Sequence, residues 1–356
     1  MMEKRLLENY IQPQQIDIVR QLLKHQQRFL ISTHIHPDGD AIGSEMSWFY
    51  VLQELDKEVV VLNHDPLPDN YQFLDPDAII QVYQPEKHLP FINTVDVCLL
   101  LDFGDWQRLR QLGKDLQQLR SSLAQNHTPP IKPVLVCIDH HPANVVLGDY
   151  DLVYPQASST GEIIYLILAV LDLPIIMKTA VALYTALLTD TGSFHFSNTT
   201  RNSHFMAGDL ISLGIDHSWI YRQVYESESK DKIKLFAELL GNLHFECDHH
   251  VIWSVITLEM LQRHNLEPAA TEGIADFPRR IQGVEISILF MELAPALTKV
   301  SLRSKGSLPI QGLAQGIGGG GHPYAAGALV HKSLQETIAE VLGQVCNYYQ
   351  THRAMV

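Results

Sequence analysis

Short apolar runs recur along the first half of the chain, each bounded by polar residues: Phe29–Ser32, Glu58–Leu62, Val95–Leu101 and Val134–Ile138. Continuous runs of this kind predict strands buried on both faces, as in a largely parallel sheet. Between them, Ile42–Leu55 and Thr160–Leu171 carry apolar residues at helical spacing. The alternation predicts an α/β layer architecture. A helical stretch from Thr179 to about His244 follows. Its last part, Ser229–His244, repeats Ile233, Phe236, Leu239 and Leu240 at helical spacing and is expected to link two domains. The pattern then turns β-rich over Val251–Leu258, Val284–Glu292 and Thr298–Ser304, followed by a Gly-rich loop at Gly316–Gly321 and a helix near Ser333–Tyr349. The expected organisation is a domain with a largely parallel sheet flanked by helices over 1–228, a linker helix over 229–248, and a smaller α/β domain over 249–356.

Composition narrows the classes of function. The 356 residues are 46% hydrophobic and 19% charged, an ordinary balance for a globular chain of about two domains. The net charge of −14 changes the picture more. An acidic surface repels duplex DNA and anionic membranes at long range, so a nucleic-acid ligand is expected to be short and held by a local cationic pocket. The four cysteines, Cys98, Cys137, Cys247 and Cys346, form no CxxC spacing, and their usage fits a reducing cytosol. Met1–Gln12 is charged and lacks the apolar core of a secretory signal, and no window has the uninterrupted apolar length of a membrane span. The expectation is a cytoplasmic protein. A homodimer is compatible with the sequence but not required by it.

Candidate chemistry lies where apolar elements end. In an open parallel sheet, ligands collect beyond the carboxyl ends of the strands. The first such end reads His34-Ile35-His36-Pro37-Asp38-Gly39-Asp40. Pro37 and Gly39 favour a tight loop, and the clustered Asp and His residues suit a divalent ion; the bland alternative is a polar turn in which Asp38 caps the next helix. At the second, Asp102 ends Leu99–Leu101 and could equally cap a following helix. The third, Asp139-His140-His141, puts three ionisable groups after a buried strand, which is costly unless they are paired or bind metal. At the fourth, Asp190-Thr191-Gly192 ends an amphipathic helix, where a carboxylate opposes the helix dipole and favours a nearby cation.

Taken in order, these segments resemble the DHH phosphoesterase family over nearly the whole chain. His34-x-x-x-Asp38-x-Asp40, the lone Asp102, Asp139-His140-His141 and Asp190-Thr191-Gly192 follow the family's order. In the second half, Lys299–Ser304 followed by Gly318–Gly321, His322, Pro323 and Ala325–Gly327 resembles the DHH-associated substrate domain. The pairing resembles the nano-RNase and 3'-phosphoadenosine 5'-phosphate phosphatase branch. The resemblance implies two divalent ions, Mn2+ first, with Mg2+, Fe2+ or Co2+ as alternatives. His34, Asp38 and Asp102 would hold one, and Asp40, Asp102, His140 and Asp190 the other, with Asp102 bridging. Asp139 would fix the imidazole of His140, and His141 would assist the transition state or protonate the leaving group. Arg303, Ser304, Gly319, Gly320, Gly321 and His322 would bind substrate. His36 and His195 depart from the family pattern and receive no role.

The implied activity is hydrolysis of phosphate esters on short oligonucleotides or on 3'-phosphoadenosine 5'-phosphate. Cyclic di-AMP or linear dinucleotide hydrolysis is the nearest rival. A manganese pyrophosphatase would lack the Gly-rich substrate domain, and a RecJ-like exonuclease would carry further nucleic-acid-binding modules. A nucleotide sensor without catalysis is the alternative outside enzymes.

Overall fold

Side chains along the apolar runs alternate between two cores, which is why those runs are continuous rather than amphipathic. The computed structural model describes residues 11–124, 133–142, 145–271 and 273–353. The chain divides into two units, Met1–Ser227 and Glu228–Val356. In the first, the described elements are α1 (Pro13–His25), β1 (Arg28–Ser32), α2 (Gly39–Glu54), β2 (Glu58–Asn63), β3 (Ile80–Val82), α3 (Pro85–Ile92), β4 (Val97–Leu101), α4 (Arg110–Ala124), β5 (Val134–Asp139), β6 (Tyr150–Val153), α5 (Thr160–Leu171), α6 (Met177–Asp190), α7 (Arg201–Ser212) and α8 (His217–Tyr225).

The six strands form one parallel sheet in the order β3-β2-β1-β4-β5-β6. Phe29, Ile31, Leu99, Val136 and Ile138 face a core shared with Met46, Ile163 and Leu183 of α2, α5 and α6. Their neighbours Leu30, Cys98, Leu100, Leu135 and Cys137 face a second core with Leu112 and Leu116 of α4. The four strands expected from apolar runs are all present. The edge strands β3 and β6 were not expected, because half-exposed edges leave no apolar run to read.

Register sets the stage for the site. Ser32 pairs with Leu100 and Leu101 pairs with Ile138, so β1, β4 and β5 end along one edge. Helix α2 is buried along almost its whole length. It approaches α6 so closely that a Cβ on Gly43 would stand 2.5 Å from the carbonyl oxygen of Ala182. A Cβ on Gly161, in the first turn of α5, would stand 2.5 Å from Cβ of Ala186. Glycine at these two points brings three helix ends together.

The second unit contains α9 (Lys230–Gly241), β7 (His244–Glu246), β8 (Val251–Ile256), α10 (Leu258–Arg263), β9 (Ile286–Ala294), β10 (Leu297–Ser304), α11 (Gln311–Gly316), β11 (Gly320–His322), β12 (Ala325–Val330) and α12 (Leu334–His352). Its sheet runs β11-β12-β10-β9-β8-β7, antiparallel except for the parallel pair β8–β9. Helix α9, within the stretch expected as a linker, packs Leu235 and Leu239 against Ile256, Leu261 and Leu289 of this unit. The glycine run expected as a loop is partly strand, since Gly320 and Gly321 pair with Gly327 and Ala326. Among the described residues, no helix is long and apolar enough to cross a membrane.

Candidate metal centre

Where β1 ends, the chain turns at His34 and re-enters a helix at Gly39. His34 is buried, and its Nδ1 lies 2.6 Å from the carbonyl oxygen of Ile35. With Nδ1–H donating there, Nε2 becomes the ligand atom, and it stands 3.4 Å from Asp102 Oδ2. Burial opposes the charged form of His34, but the hydrogen bond to Asp102 and the charge of Asp38 raise its pKa overall. Asp38 does cap α2, the amides of Asp40 and Ala41 both donating to its Oδ1 at 3.1 Å. Capping uses one oxygen, and Asp38 still groups with His34 and Asp102. The proline at position 37 and the cap together fix where the helix starts.

Asp40 is held by the N-terminus of α5. The amide of Thr160 donates to its Oδ2 (2.7 Å) and that of Gly161 to its Oδ1 (2.9 Å). A helix N-terminus favours an anion there. Burial nevertheless pushes the Asp40 carboxyl well above the carboxylate range, with the charges of Asp102, Asp190 and Asp38 adding to it. Asp190, at the end of α6, is likewise pushed up to about 7, chiefly by burial. Asn198 donates from Nδ2 to Asp190 Oδ2 (3.2 Å). After Asp190 the backbone turns left-handed at Gly192, Ser193 and Phe194, and the amides of His195 and Phe196 return to the carbonyl of Thr191.

Asp102 leaves β4 with φ +52°, a left-handed turn that Asp adopts more readily than most residues with a side chain. The turn that follows is capped by Asp105, not by Asp102. Its two oxygens face different partners. Oδ2 faces His34, while Oδ1 lies 3.6 Å from His140 Nε2 and 3.3 Å from His141 Nδ1. Thr160 Oγ1 also donates to Oδ1 (3.0 Å). Burial alone would raise the Asp102 carboxyl, but hydrogen bonds from His141 and His34 hold it well below the usual range. His140 Nε2 stands 3.8 Å from Asp40 Oδ2 and 3.6 Å from Asp190 Oδ2.

One expected pairing is corrected. Asp139 does not fix His140; its Oδ1 accepts from the amide and Nδ1 of His141, both at 2.8 Å, and its Oδ2 accepts from the amide of Gly104 (2.7 Å). The reason is the sharp turn after β5, which folds His141 back onto Asp139. His140 Nδ1 faces the carbonyl of Ala157 instead, at 3.4 Å. Burial works against a charged His141, yet hydrogen bonds to Asp102 and Asp139 push it up to about 11.

Three donor groups result: His34, Asp38 and Asp102; Asp40, His140 and Asp190; and Asp102, His140 and His141, with the donor atoms of each within 4.8 Å of one another. Buried carboxylates such as Asp40 and Asp190, raised by burial and then by neighbouring charge, are what divalent cations relieve, and a mixed oxygen and nitrogen set suits Mn2+, Fe2+ or Co2+ as well as Mg2+. The residues fit a pair of metal ions. His36 is not among the three groups; its exposed ring lies 3.7 Å from Asp65. His195 is also exposed, and none of the three includes it. Thr160, Gly161 and Asn198 were missed from sequence. Ser159-x-x-Glu162 before an apolar run is a helix-start signal, and would have marked the first two as donors at a helix N-terminus.

The second unit's expected residues fare unevenly. Arg303 Nε donates to Asp276 Oδ1 (3.0 Å), so this guanidinium is anchored rather than a solvated strand charge. Ser304 is corrected. Strand alternation turns it to the opposite face from Arg303, it is 1% exposed, and Gly306 N lies 3.4 Å from its Oγ. The glycine at 319 is required by packing, since a Cβ there would stand 2.1 Å from the Gly327 carbonyl oxygen, whereas nothing lies within 4 Å at Gly320. Gly321, at φ +136°, would put a Cβ 2.7 Å from the Ala325 carbonyl oxygen. His322 pairs with Ala325 through the backbone, and its side chain lies outside the described residues.

The model for the DHH family, N-terminal domain, matches residues 28–187, and that for the DHHA1 domain matches residues 250–350. The chain is 33% identical over 306 residues to a probable bifunctional oligoribonuclease and PAP phosphatase NrnA from Streptococcus mutans, covering 86% of this chain and 90% of that one. It is 28% identical over 305 residues to the bifunctional oligoribonuclease and PAP phosphatase NrnA of Thermus thermophilus, covering 84% and 82%. Among solved structures it resembles an exopolyphosphatase-related protein from Bacteroides fragilis, with a TM-score of 0.86, 26% identity, and coverage of 96% and 98%.

Proposed function

This chain belongs to the DHH family of phosphoesterases, with a DHHA1 domain in its second half, and from that membership we propose that it hydrolyses short oligoribonucleotides and 3'-phosphoadenosine 5'-phosphate with two bound divalent ions, Mn2+ first among them. The observation that carries this reading is Asp102, whose Oδ2 faces His34 while its Oδ1 faces His140, so that one carboxylate spans two groups of donors. His34, Asp38 and Asp102 would hold one ion, and Asp40, Asp102, His140 and Asp190 the other. When bound, such a pair supplies a nucleophilic hydroxide at neutral pH and a clamp on the phosphoryl oxygens.

The chain's own residues supply the rest. Asp139 fixes the ring of His141 through Nδ1, which sets the imidazole beside the donor cluster to protonate the departing ester oxygen. Thr160 and Gly161 hold Asp40 with their amides, so it does not swing away as the charge around it changes. Arg303, held by Asp276, offers a planar fork to a phosphate. The net charge of −14 disfavours duplex DNA as a ligand. Buried free thiols at Cys98 and Cys137 suit a reducing cytoplasm.

The test is turnover of a panel with and without Mn2+: diribonucleotides, 3'-phosphoadenosine 5'-phosphate, cyclic di-AMP and a DNA duplex. Mn2+-dependent hydrolysis of the first two, abolished by EDTA and by Asp102→Ala in a folded protein, is expected. Full Mn2+-dependent turnover by folded Asp102→Ala would refute the centre. Nucleotide binding without turnover of any member would make the protein a sensor.

A further inference from the structure

Arg108 lies close to the candidate centre yet has no part in its donor groups. It sits in the short turn Trp106–Leu109 after β4, a turn capped by Asp105, whose Oδ1 accepts from the amide of Gln107 (2.6 Å). The turn is pinned to the loop that carries His34 and Asp38, because the amide of Ile35 donates to the carbonyl of Arg108 (3.0 Å). The position of the main chain is therefore fixed relative to the donors.

The side chain is half-buried and lies over Gly104. A Cβ on Gly104 would stand 3.6 Å from a terminal nitrogen of Arg108 and 3.9 Å from Cβ of His141. The guanidinium and the imidazole thus flank one glycine, whose own amide is held by Asp139. Among the described residues the Arg108 side chain makes one hydrogen bond, a long one, from a terminal nitrogen to the carbonyl of Phe103 (3.4 Å). Among the described residues no carboxylate forms an ion pair with it, although Asp139 holds the amide of the same Gly104 that the guanidinium overlies. Arg303 by contrast is tied to Asp276, and Arg120 to Asp149. A half-buried arginine that stays unpaired beside an acidic cluster retains its capacity to bind an anion.

We propose that Arg108 is a substrate-contacting residue of the catalytic unit, whose guanidinium takes a non-bridging oxygen of the phosphoryl group held at the candidate metal centre. The assignment rests on the phosphoesterase reading above and adds to it a cation from the first unit. The planar fork matches two phosphoryl oxygens, which a lysine ammonium does not. Gly104 leaves the space through which the guanidinium and His141 approach the same group.

The experiment uses the full chain loaded with Mn2+, as wild type, Arg108→Ala and Arg108→Lys. Hydrolysis of a diribonucleotide, Mn2+ stoichiometry and calorimetric binding of inorganic phosphate are measured together. Arg108→Ala is expected to lower kcat/KM by about 10- to 100-fold, the loss of a charged hydrogen bond, with Mn2+ stoichiometry and Tm as in wild type. Guanidinium chloride at a sub-denaturing concentration is expected to restore part of the activity, and Arg108→Lys to recover less than the wild-type rate. Wild-type kcat/KM and phosphate affinity in Arg108→Ala would overturn the assignment. So would a loss that comes with lost Mn2+ or lowered Tm and is not rescued by guanidinium, which would mark Arg108 as a structural pin. If the wild type hydrolyses no ester, the phosphoesterase reading fails by itself and phosphate binding decides: weaker binding by Arg108→Ala supports the contact, and equal or absent binding overturns it.

Discussion

At Asp139 a single carboxylate gathers the amide of Gly104 and both the amide and Nδ1 of His141. Groups that orient a functional imidazole typically contribute about 10- to 100-fold. Asp139→Asn keeps the volume and removes the charge, so kcat is expected to fall by about that factor while two Mn2+ still bind; loss of Mn2+ in calorimetry would show instead that Asp139 supports the ligands. A second residue works at a distance from the donors. Glu45, in the middle of α2, is fully buried, and its Oε2 accepts from Asn63 Nδ2 (2.8 Å). Burial raises its pKa to about 8 from the usual 4.5. The folded state therefore keeps a proton that the unfolded chain releases between those values. Stability contributed this way is whole below pH 4.5 and is lost as the pH rises to about 8, with a slope of up to about 1.4 kcal/mol per pH unit. Glu45→Gln is expected to flatten that part of the profile and to raise Tm near pH 8 but not at pH 4; an unchanged profile from thermal melts would count against a buried neutral Glu45.

Helix ends rather than single residues bring the donors together. Asp40 opens α2, Thr160 and Gly161 open α5, and Asp190 closes α6. Their approach depends on the missing side chain at Gly43, where a Cβ would meet the Ala182 carbonyl at 2.5 Å and the Ala186 amide nitrogen at 2.9 Å. Both obstacles are main chain and cannot rotate aside. Gly43→Ala is expected to cost about 1–3 kcal/mol by overpacking and to weaken Mn2+ binding as well, because α2 and α6 must separate. Thermal melts with and without Mn2+ check both parts; a stable variant with intact Mn2+ affinity would mean the helices can part without moving Asp40 from Asp190. The elements themselves were largely legible. Strands β1, β2, β4 and β5 and helix α5 follow from continuous or periodic apolar positions. Strands β3 and β6 did not, because an edge strand with one solvated side carries too few apolar residues to stand out. The glycine run misled for a related reason. Glycine marks both open turns and close strand packing, and only the partner strand, with Gly327 and Ala326, tells which.

Each unit of the molecule has its own cores, and all the candidate metal ligands belong to the first. Ions that bind only the folded form stabilise by mass action, about 2.7 kcal/mol at a hundredfold excess over Kd. Scanning calorimetry of the whole chain is expected to show Mn2+ raising the transition of the first unit and EDTA reversing it, with the transition of the second unmoved; equal shifts in both would place a further cation site in the second unit. What the sequence by itself determined is the alternation of elements, the presence of His and Asp at their ends, and the order of four motifs that marks the family. These are local properties, carried by apolar spacing and by residue type at adjacent positions. What only the tertiary structure decided is which atom faces which: that Asp139 serves His141 rather than His140, that Ser304 points inward while Arg303 is anchored by Asp276, and that Arg108 lies against the same glycine as His141. Those outcomes turn on backbone dihedrals at a few positions and on contacts between residues far apart in the chain, and neither is encoded in the spacing of residues along it.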